Sequence, residues 1–498
     1  MVSARGPSII PDFEAPIEHL DTTRTIGPAS LDSEIRSPEE LETRLASEYG
    51  AHLAILDHRL EAALAAGGFD GAVIFAGAEK TVFRDDSVYP FRVEPYFKAW
   101  LPLTQAPGSF LRLVPGQRPM LVYRQLDDYW HEPPSDPSGY WTAHFDIRVV
   151  KTDAEARRLS GSGPRWVAIG ENAEAASSGA SDSTQPAIND DKVLKSLDFS
   201  RAAKTRYEVL AMRAAQTIAV RGHAAVAAAF EQGAAGASNE FDLHQTYLRA
   251  TEQRETELPY PSIVGINEHA ATLHYQHLRL RAPAVKRSLL IDAGAAFQGY
   301  AADITRTWSA NDGDDFAALI DSMETLQQAL CAEVRSGVDF VELNALTHRL
   351  LADVLREHRF VGCSVDEAVT TGITRAFLPH GLGHLLGLQV HDAGGRQIDA
   401  EGTLRAPPRE HPYLRLTRRL EPGFVVTIEP GLYFIPSLLR ELLATHDDKL
   451  NRGLIERFLP FGGIRIEDDV EVTTDGYRNL TREAFAAVAS EARGRKKR

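Results

Sequence analysis

The segment Leu289-Leu-Ile-Asp292-Ala-Gly294, followed by Gly299-Tyr-Ala-Ala-Asp303-Ile-Thr-Arg306, is where the reading of this chain turns. Leu289 to Ile291 is an apolar run of the length and character of a buried strand, and it delivers the chain into an acid beside a glycine. Taken alone, Asp292 is more readily a turn residue bonding its own backbone than a ligand. Asp303 is harder to place that way. It lies among Ala and Ile, where a carboxylate with no partner is costly. Two acids on paired strands of a hairpin can converge on a cation, and a cation removes that cost.

Three further patches have the same character. In Leu378-Pro-His-Gly-Leu-Gly-His-Leu-Leu-Gly-Leu-Gln-Val-His391, the histidines His380, His384 and His391 stand among glycines and aliphatics. One such histidine is usually a packed core residue; three together, beside glycines that let backbones approach closely, point to a site. His380 and His384 have helical spacing, although the glycines disfavour a regular helix. No Glu follows His380, so the His-Glu-x-x-His zinc-protease pattern is not met. Val425-Val-Thr-Ile-Glu429-Pro-Gly431 is a β-branched strand ending in an acid. In Gly462-Gly-Ile-Arg465-Ile-Glu467-Asp-Asp-Val470, strand alternation puts Arg465 and Glu467 on one face. The four patches supply four carboxylates and at least one imidazole, with no thiolate. Such a donor set suits hard or borderline divalent ions, Mn²⁺ above all, with Co²⁺ or Zn²⁺ as alternatives. Four carboxylates balance two dications, so the chemistry reads as a two-metal hydrolase.

At these residues the chain resembles the pita-bread metallopeptidases, and within them the prolidases and the similar organophosphorus acid anhydrolases. The order Asp292, Asp303, His384, Glu429, Glu467 matches the family's ligand order. The blocks Asp303-Ile-Thr-Arg-Thr, His380-Gly-Leu-Gly-His, Ile428-Glu-Pro-Gly and Gly463-Ile-Arg-Ile-Glu467 match its flanks. The resemblance covers roughly residues 43 to 485. It implies an α+β chain, with a C-terminal pita-bread catalytic domain preceded by a smaller α/β N-terminal domain. It implies hydrolysis of X-Pro dipeptides, with Asp303 and Glu467 bridging the ions, Asp292 completing one sphere and His384 with Glu429 the other. Glu429 would be the acid/base group, with His380 and His391 serving catalysis beside the metals. His274, Tyr260 and Arg465 would line the substrate pocket. Arg415 would grip the proline carboxylate, a task for which a guanidinium fork is well shaped. The block Phe83-Arg-Asp-Asp-Ser-Val-Tyr-Pro-Phe91 resembles the prolidase N-domain and implies a homodimer in which Asp85 or Asp86 closes the partner's site. The same resemblance leaves organophosphate hydrolysis, an X-Pro aminopeptidase and a non-enzymatic binding protein of the same fold as alternatives. All five ligand positions are filled, which disfavours the last.

The rest of the chain is compatible with that picture. At 498 residues it is long enough for two domains with tails. Residues 1–42 lack periodicity and read as a poorly ordered extension, 43–196 as the α/β domain and 197–498 as the catalytic domain. Leu45, Tyr49, Leu53, Leu56, Leu60 and Leu64 share a helical face up to Gly67-Gly68. Strands are expected at Gly71–Ala76, Ser109–Val114, Met120–Tyr123 and Arg165–Ile169, and a long helix over Lys204–Gln232. The Ala/Ser-rich stretch from Glu171 to Ser183 reads as a surface loop. A formal net charge of -15 argues against nucleic acid and anionic membranes as partners. With two cysteines, Cys331 and Cys363, and no apolar leader, the expectation is a cytoplasmic protein with reduced thiols acting on a small dipeptide.

Overall fold

A polar cap starts the first helix. Ser37 Oγ accepts from the Glu40 amide at 3.2 Å, Pro38 takes the first helical position, and Glu39 and Glu40 face the positive end of the helix dipole. The helix Pro38–Gly67 therefore begins ahead of the apolar spacing, which is visible only from Leu45 because capping residues are polar. Leu45, Tyr49, Leu53, Leu56, Leu60 and Leu64 are all buried. Gly68, at φ +79°, ends the helix in the left-handed conformation. The computed structural model describes residues 37–127, 129–160, 163–176, 185–232, 239–311 and 313–496. Most of the expected N-terminal extension (residues 1–36), and residues 177–183 of the Ala/Ser-rich stretch, lie outside the described residues.

This helix packs on a six-stranded sheet formed by β1 (Gly71–Phe75), β2 (Phe110–Leu113), β3 (Met120–Arg124), β4 (Asp146–Val150), β5 (Trp166–Ile169) and β6 (Ala187–Ile188). The order is β4-β3-β2-β1-β5-β6, with β1 antiparallel to β2 and parallel to β5. β1 is buried at every position, consistent with its unbroken apolar run.

The second half opens with the helices Arg206–Gln232 and Glu240–Thr251. Its strands are β7 (Ile263–Ile266), β8 (Ser288–Asp292), β9 (Ala296–Phe297), β10 (Tyr300–Ala301), β11 (Thr305–Ser309), β12 (Val425–Ile428), β13 (Gly431–Tyr433), β14 (Gly463–Arg465), β15 (Asp468–Val472) and β16 (Tyr477–Asn479). They form the sheets β11-β8-β7 and β12-β15-β16, the hairpin β9/β10, and a two-stranded sheet of β13 and β14, which are joined by a long helical connection. A bridge between Thr305 and Glu467 stitches the first sheet to the segment joining β14 and β15, and one between Leu385 and Val426 docks the histidine-rich segment on β12. The helices Asp315–Ala332 and Phe340–Glu357 cover an apolar core that includes Leu319, Leu326, Leu351, Phe377, Val426 and Ile464.

The two halves share buried surface. One apolar cluster contains Leu60 and Leu111 of the first half together with Tyr207, Leu210, Tyr300, Leu386 and Val425 of the second. Close by is a buried ionic knot. Arg201 Nη2 donates to Asp392 Oδ1 at 2.5 Å and Lys204 Nζ to Asp392 Oδ2 at 2.9 Å, while Arg201 also reaches Gln389 Oε1 at 2.8 Å. Burial pushes the Asp392 carboxyl upward, but the Arg201 and Lys204 charges outweigh it and hold the group down at about 2. The knot pins the segment carrying His391 to the junction between the halves. Cys331 is buried and Cys363 half-buried, both as free thiols. Among the described residues no helix is long and apolar enough to cross a membrane.

Candidate metal and substrate site

β8 and β11 pair so that Asp292 stands opposite Thr305, and Asp303 lies just before β11. The β9/β10 hairpin between them folds back tightly. A Cβ on Gly294 would lie 1.9 Å from the Ala302 carbonyl oxygen, so only glycine permits the approach that brings the two acids together. A second close approach brings in the histidine. The segment Leu382–His384 runs along β12, with Thr427 N donating to the His384 carbonyl at 3.0 Å and Glu429 N to the Leu382 carbonyl at 2.9 Å. A Cβ on Gly383 would meet the Thr427 carbonyl oxygen at 2.0 Å. The glycines thus place His384 beside Glu429 in extended backbone, not helix.

Asp292, Asp303, His384, Glu429 and Glu467 all line one cavity of about 1400 Å³. His384 Nδ1 donates to the Leu385 carbonyl at 3.0 Å, which leaves Nε2 facing Asp303 Oδ2 at 3.5 Å and Glu429 Oε1 at 3.6 Å. Atoms of Asp303, His384 and Glu467 lie within 4.8 Å of one another, as a shared cation would require. Glu467 Oε2 accepts from Thr305 Oγ1 at 2.6 Å and Asp303 Oδ1 from Tyr260 OH at 2.5 Å. Asp292 Oδ2 is held by Arg465 Nη2 at 2.6 Å, whereas its Oδ1 is buried with no hydrogen-bond partner. A buried carboxylate oxygen left unpaired among other carboxylates is the expected state of a ligand atom seen without its cation.

The electrostatics agree. Burial drives Glu429 up to about 7 against the His384 and Arg465 charges, and burial together with the Asp303 and Glu429 charges pushes Glu467 well above the usual carboxylate range. Burial also lifts Asp292. His384 is pressed down by burial, yet its contact with Asp303 and the Glu429 charge outweigh that and carry it to about 9. Four acids and one imidazole lining one cleft compete for too little positive charge. The donor set, all oxygen and nitrogen, fits divalent cations.

The remaining residues singled out from sequence divide into two groups. Arg465 is fully engaged: besides Asp292 it donates to Thr305 Oγ1 at 3.1 Å and Tyr433 OH at 2.9 Å. His380 is engaged too, with Nδ1 at 2.8 Å from the Gly381 carbonyl and Nε2 at 2.8 Å from Tyr433 OH. Tyr260 reaches the cavity wall but spends its hydroxyl on Asp303. By contrast, His274, His391 and Arg415 are exposed, line the cavity, and have no hydrogen bond or ion pair to another described residue. Although part of the side chain is open to solvent, the partial burial of the His391 ring in the cavity wall lowers it to about 4, the charge of His384 adding to the effect. Asp85 and Asp86 lie in an exposed hairpin bridged at Thr81 and Val88, and Lys80 and Tyr89 at its base line the cavity mouth. Sequence reasoning passed over Thr305 and Tyr433. Alternation offered a signal for Thr305, two residues beyond Asp303, while an uncharged Tyr433 inside an apolar strand offered none.

The description "Xaa-Pro dipeptidase, N-terminal domain" matches residues 47–199, and metallopeptidase family M24 matches residues 211–474. A protein from Stenotrophomonas maltophilia named Xaa-Pro dipeptidase is 48% identical over 442 residues, covering 88% of this chain and 98% of its own. A protein of the same name from Xanthomonas campestris is 46% identical over 441 residues, covering 88% and 98%. Among solved structures, aminopeptidase P from E. coli with the inhibitor Pro-Leu superposes with a TM-score of 0.65 at 24% identity, covering 90% of this chain and 99% of that one. Proline aminopeptidase P II from Yersinia pestis gives 0.63 at 24%, covering 88% and 96%. These two similarities concern the fold alone.

Proposed function

We propose that this chain, which belongs to metallopeptidase family M24, is an X-Pro dipeptidase whose two divalent ions are held by Asp292, Asp303, His384, Glu429 and Glu467. Asp303 and Glu467 would be shared between the two ions, Asp292 would serve one and His384 with Glu429 the other, with Mn²⁺ the ion that such a donor set would favour. The ions supply Lewis acidity, which activates water and polarises the scissile carbonyl. Glu429 moves the proton. Its Oε1 faces His384, and Oε2 is the atom open to take a proton from water and pass it to the proline nitrogen. Tyr260, Thr305 and Arg465 orient the ligating carboxylates, much as outer hydrogen bonds orient ligands elsewhere.

Substrate contact falls to the groups with free donors. His391 and His274 offer unengaged ring nitrogens to the substrate carbonyl and its developing oxyanion. His380 works from behind: spanning Gly381 and Tyr433, it keeps Tyr433 and through it Arg465 in register. Arg415, a cavity-lining guanidinium with no hydrogen-bond or ion-pair partner among the described residues, grips the proline carboxylate, which only a substrate ending one residue past the scissile bond presents there. That unpaired Arg415, beside an Arg465 already committed to Asp292, is the observation that carries the dipeptidase reading. We further propose the domain division near residue 197, a cytoplasmic homodimer, and closure of each site by the partner's Thr81–Val88 hairpin. Support for the dimer comes from the exposure of Phe83 (87%) and Tyr89 (50%) on or beside that hairpin. Sedimentation of the native chain as a monomer would remove it.

The test of function is hydrolysis of Leu-Pro, Ala-Pro, Ala-Ala and Ala-Pro-Ala by metal-stripped protein reloaded with Mn²⁺. Cleavage of the X-Pro dipeptides with the tripeptide spared supports the reading. Equal release of the N-terminal residue from the tripeptide replaces it with an aminopeptidase.

A further inference from the structure

Glu240 is the first residue of the helix Glu240–Thr251, yet its carboxylate accepts from none of that helix's amides. Asn239 already caps it, accepting from the Asp242 amide at 2.8 Å. The Glu240 side chain is 2% exposed and accepts four hydrogen bonds, two on each oxygen. Oε1 accepts from the Ile266 amide at 3.0 Å and from His269 Nδ1 at 2.6 Å. Oε2 accepts from Tyr275 OH at 2.6 Å and from the Arg279 amide at 2.8 Å.

Those donors are not scattered. Ile266 ends β7, and Arg279 lies on the far side of the loop that leaves it, so one carboxylate clasps both ends of the segment 267–279. Between the ends, His269 stacks on Tyr275 with ring centroids 4.7 Å apart and planes 18° from parallel. The amides of Thr272 and Tyr275 close two turns onto His269 and Thr272, at 3.0 Å and 3.2 Å. His274 sits beside the second turn and reaches the cavity wall. An open loop of this length would spread His274 over many positions. Fastening its ends removes that freedom, and burying a carboxylate to do so is sustained only by the full set of donors.

We propose that Glu240 is a positioning residue: by joining the Ile266 and Arg279 ends of the loop it holds His274 at the cavity wall for substrate. The inference rests on the reading, given above, that His274 contacts substrate.

The test is a double-mutant cycle of Glu240→Gln and His274→Ala in metal-reloaded protein, reading kcat and KM for Ala-Pro, bound metal and Tm. Gln keeps the volume but turns one acceptor into an NH₂ group, which must confront either the Ile266 or the Arg279 amide. The expected result is a loss in kcat/KM of about tenfold for E240Q, the order seen when groups orienting active-site side chains are altered. Metal content stays full, and the double variant is no slower than H274A alone. An E240Q enzyme with wild-type kinetics overturns the proposal. So does a double variant slower than H274A by the whole E240Q factor, because a general structural defect would multiply in that way. If H274A itself has wild-type kinetics, the reading of His274 fails and takes this one with it, an outcome distinct from multiplication. Should E240Q not accumulate as folded protein, Tyr275→Phe removes one donor, keeps both backbone bonds, and is read in the same cycle for a smaller step.

Discussion

Replacing Gly383 by Ala puts the geometry of the site under direct strain. The added methyl carbon would lie 2.0 Å from the Thr427 carbonyl oxygen, whereas ordinary contact begins near 3.4 Å. The difference, ~1.4 Å, must be absorbed by separating the His384 segment from β12. Neither side of that gap is a flexible side-chain tip: the clash is between backbones, and His384 follows Gly383 directly while Glu429 lies two residues past Thr427. Metal ligands tolerate displacements of only about 0.2 Å. A misplacement near 1 Å costs about 10²-fold in rate, so kcat/KM for Ala-Pro should fall by two orders of magnitude or more, with loss of bound metal. Overpacking of this kind also costs about 1–3 kcal/mol in stability. The assay is steady-state hydrolysis after metal reloading, with metal per chain by plasma emission and Tm by calorimetry. Gly453→Ala is the control, since a Cβ there meets nothing within 4 Å. G383A protein with full metal and wild-type kcat/KM would refute the argument that this approach sets the ligand geometry.

Other perturbations separate the roles within the site. Asp303→Asn removes a bridging charge and should bring activity near background with weakened metal retention; an active variant holding two ions per chain would sink that role. Arg415→Met should raise KM for dipeptides while sparing metal content, because it deletes binding to ground and transition states alike. An unchanged KM would shift the carboxylate grip to another group. The Asp392 knot predicts an acid-side signature. Its carboxyl titrates near 2 when folded and near an ordinary ~3.9 when unfolded. Its stabilising contribution is therefore complete above about 4 and is lost as pH falls from there towards 2. Removing one partner of such a buried pair costs about 3–5 kcal/mol, so Asp392→Asn should lower Tm at neutral pH and flatten its fall between pH 4 and 2. A parallel fall in both proteins would count against it.

The residues of the candidate metal site stand out in the sequence because acids and histidines in apolar strands carry an evident physical cost. Asp303, His384 and Glu467 each stand out in that way. Uncharged partners leave no such trace: Thr305 and Tyr433 look like ordinary strand residues until the packing shows what their hydroxyls touch. The resemblance singles out Arg415 for the carboxylate grip, but the residue pattern around it supplies no physical reason to prefer it to Arg465; the three-dimensional arrangement shows Arg465 occupied by Asp292, while Arg415 has no partner among the described residues. Glu240 was hidden for a different reason, because an acid at a helix start has a commonplace explanation. In the first half, β1 was readable from its apolar run, whereas the outer strand β4, with Asp146 and Arg148, is half-exposed and lacks the pattern.

The apolar cluster shared between the two halves has a bearing on how this chain can be changed. Leu60 and Leu111 pack in the same cluster as Leu386, within the histidine-rich segment, and Val425, the first residue of β12. A catalytic half produced alone would turn that surface toward water and be drawn into aggregation, so a shortened version would need its exposed leucines and valines redesigned as well as its ends trimmed. Calorimetric melting should accordingly follow a single cooperative transition, the two halves unfolding together. Over evolutionary time the same dependence ties the halves to each other: a substitution on the first-half side of the cluster is felt within a few residues of His384, and exchange of the first half between relatives succeeds only when the packing partners travel with it.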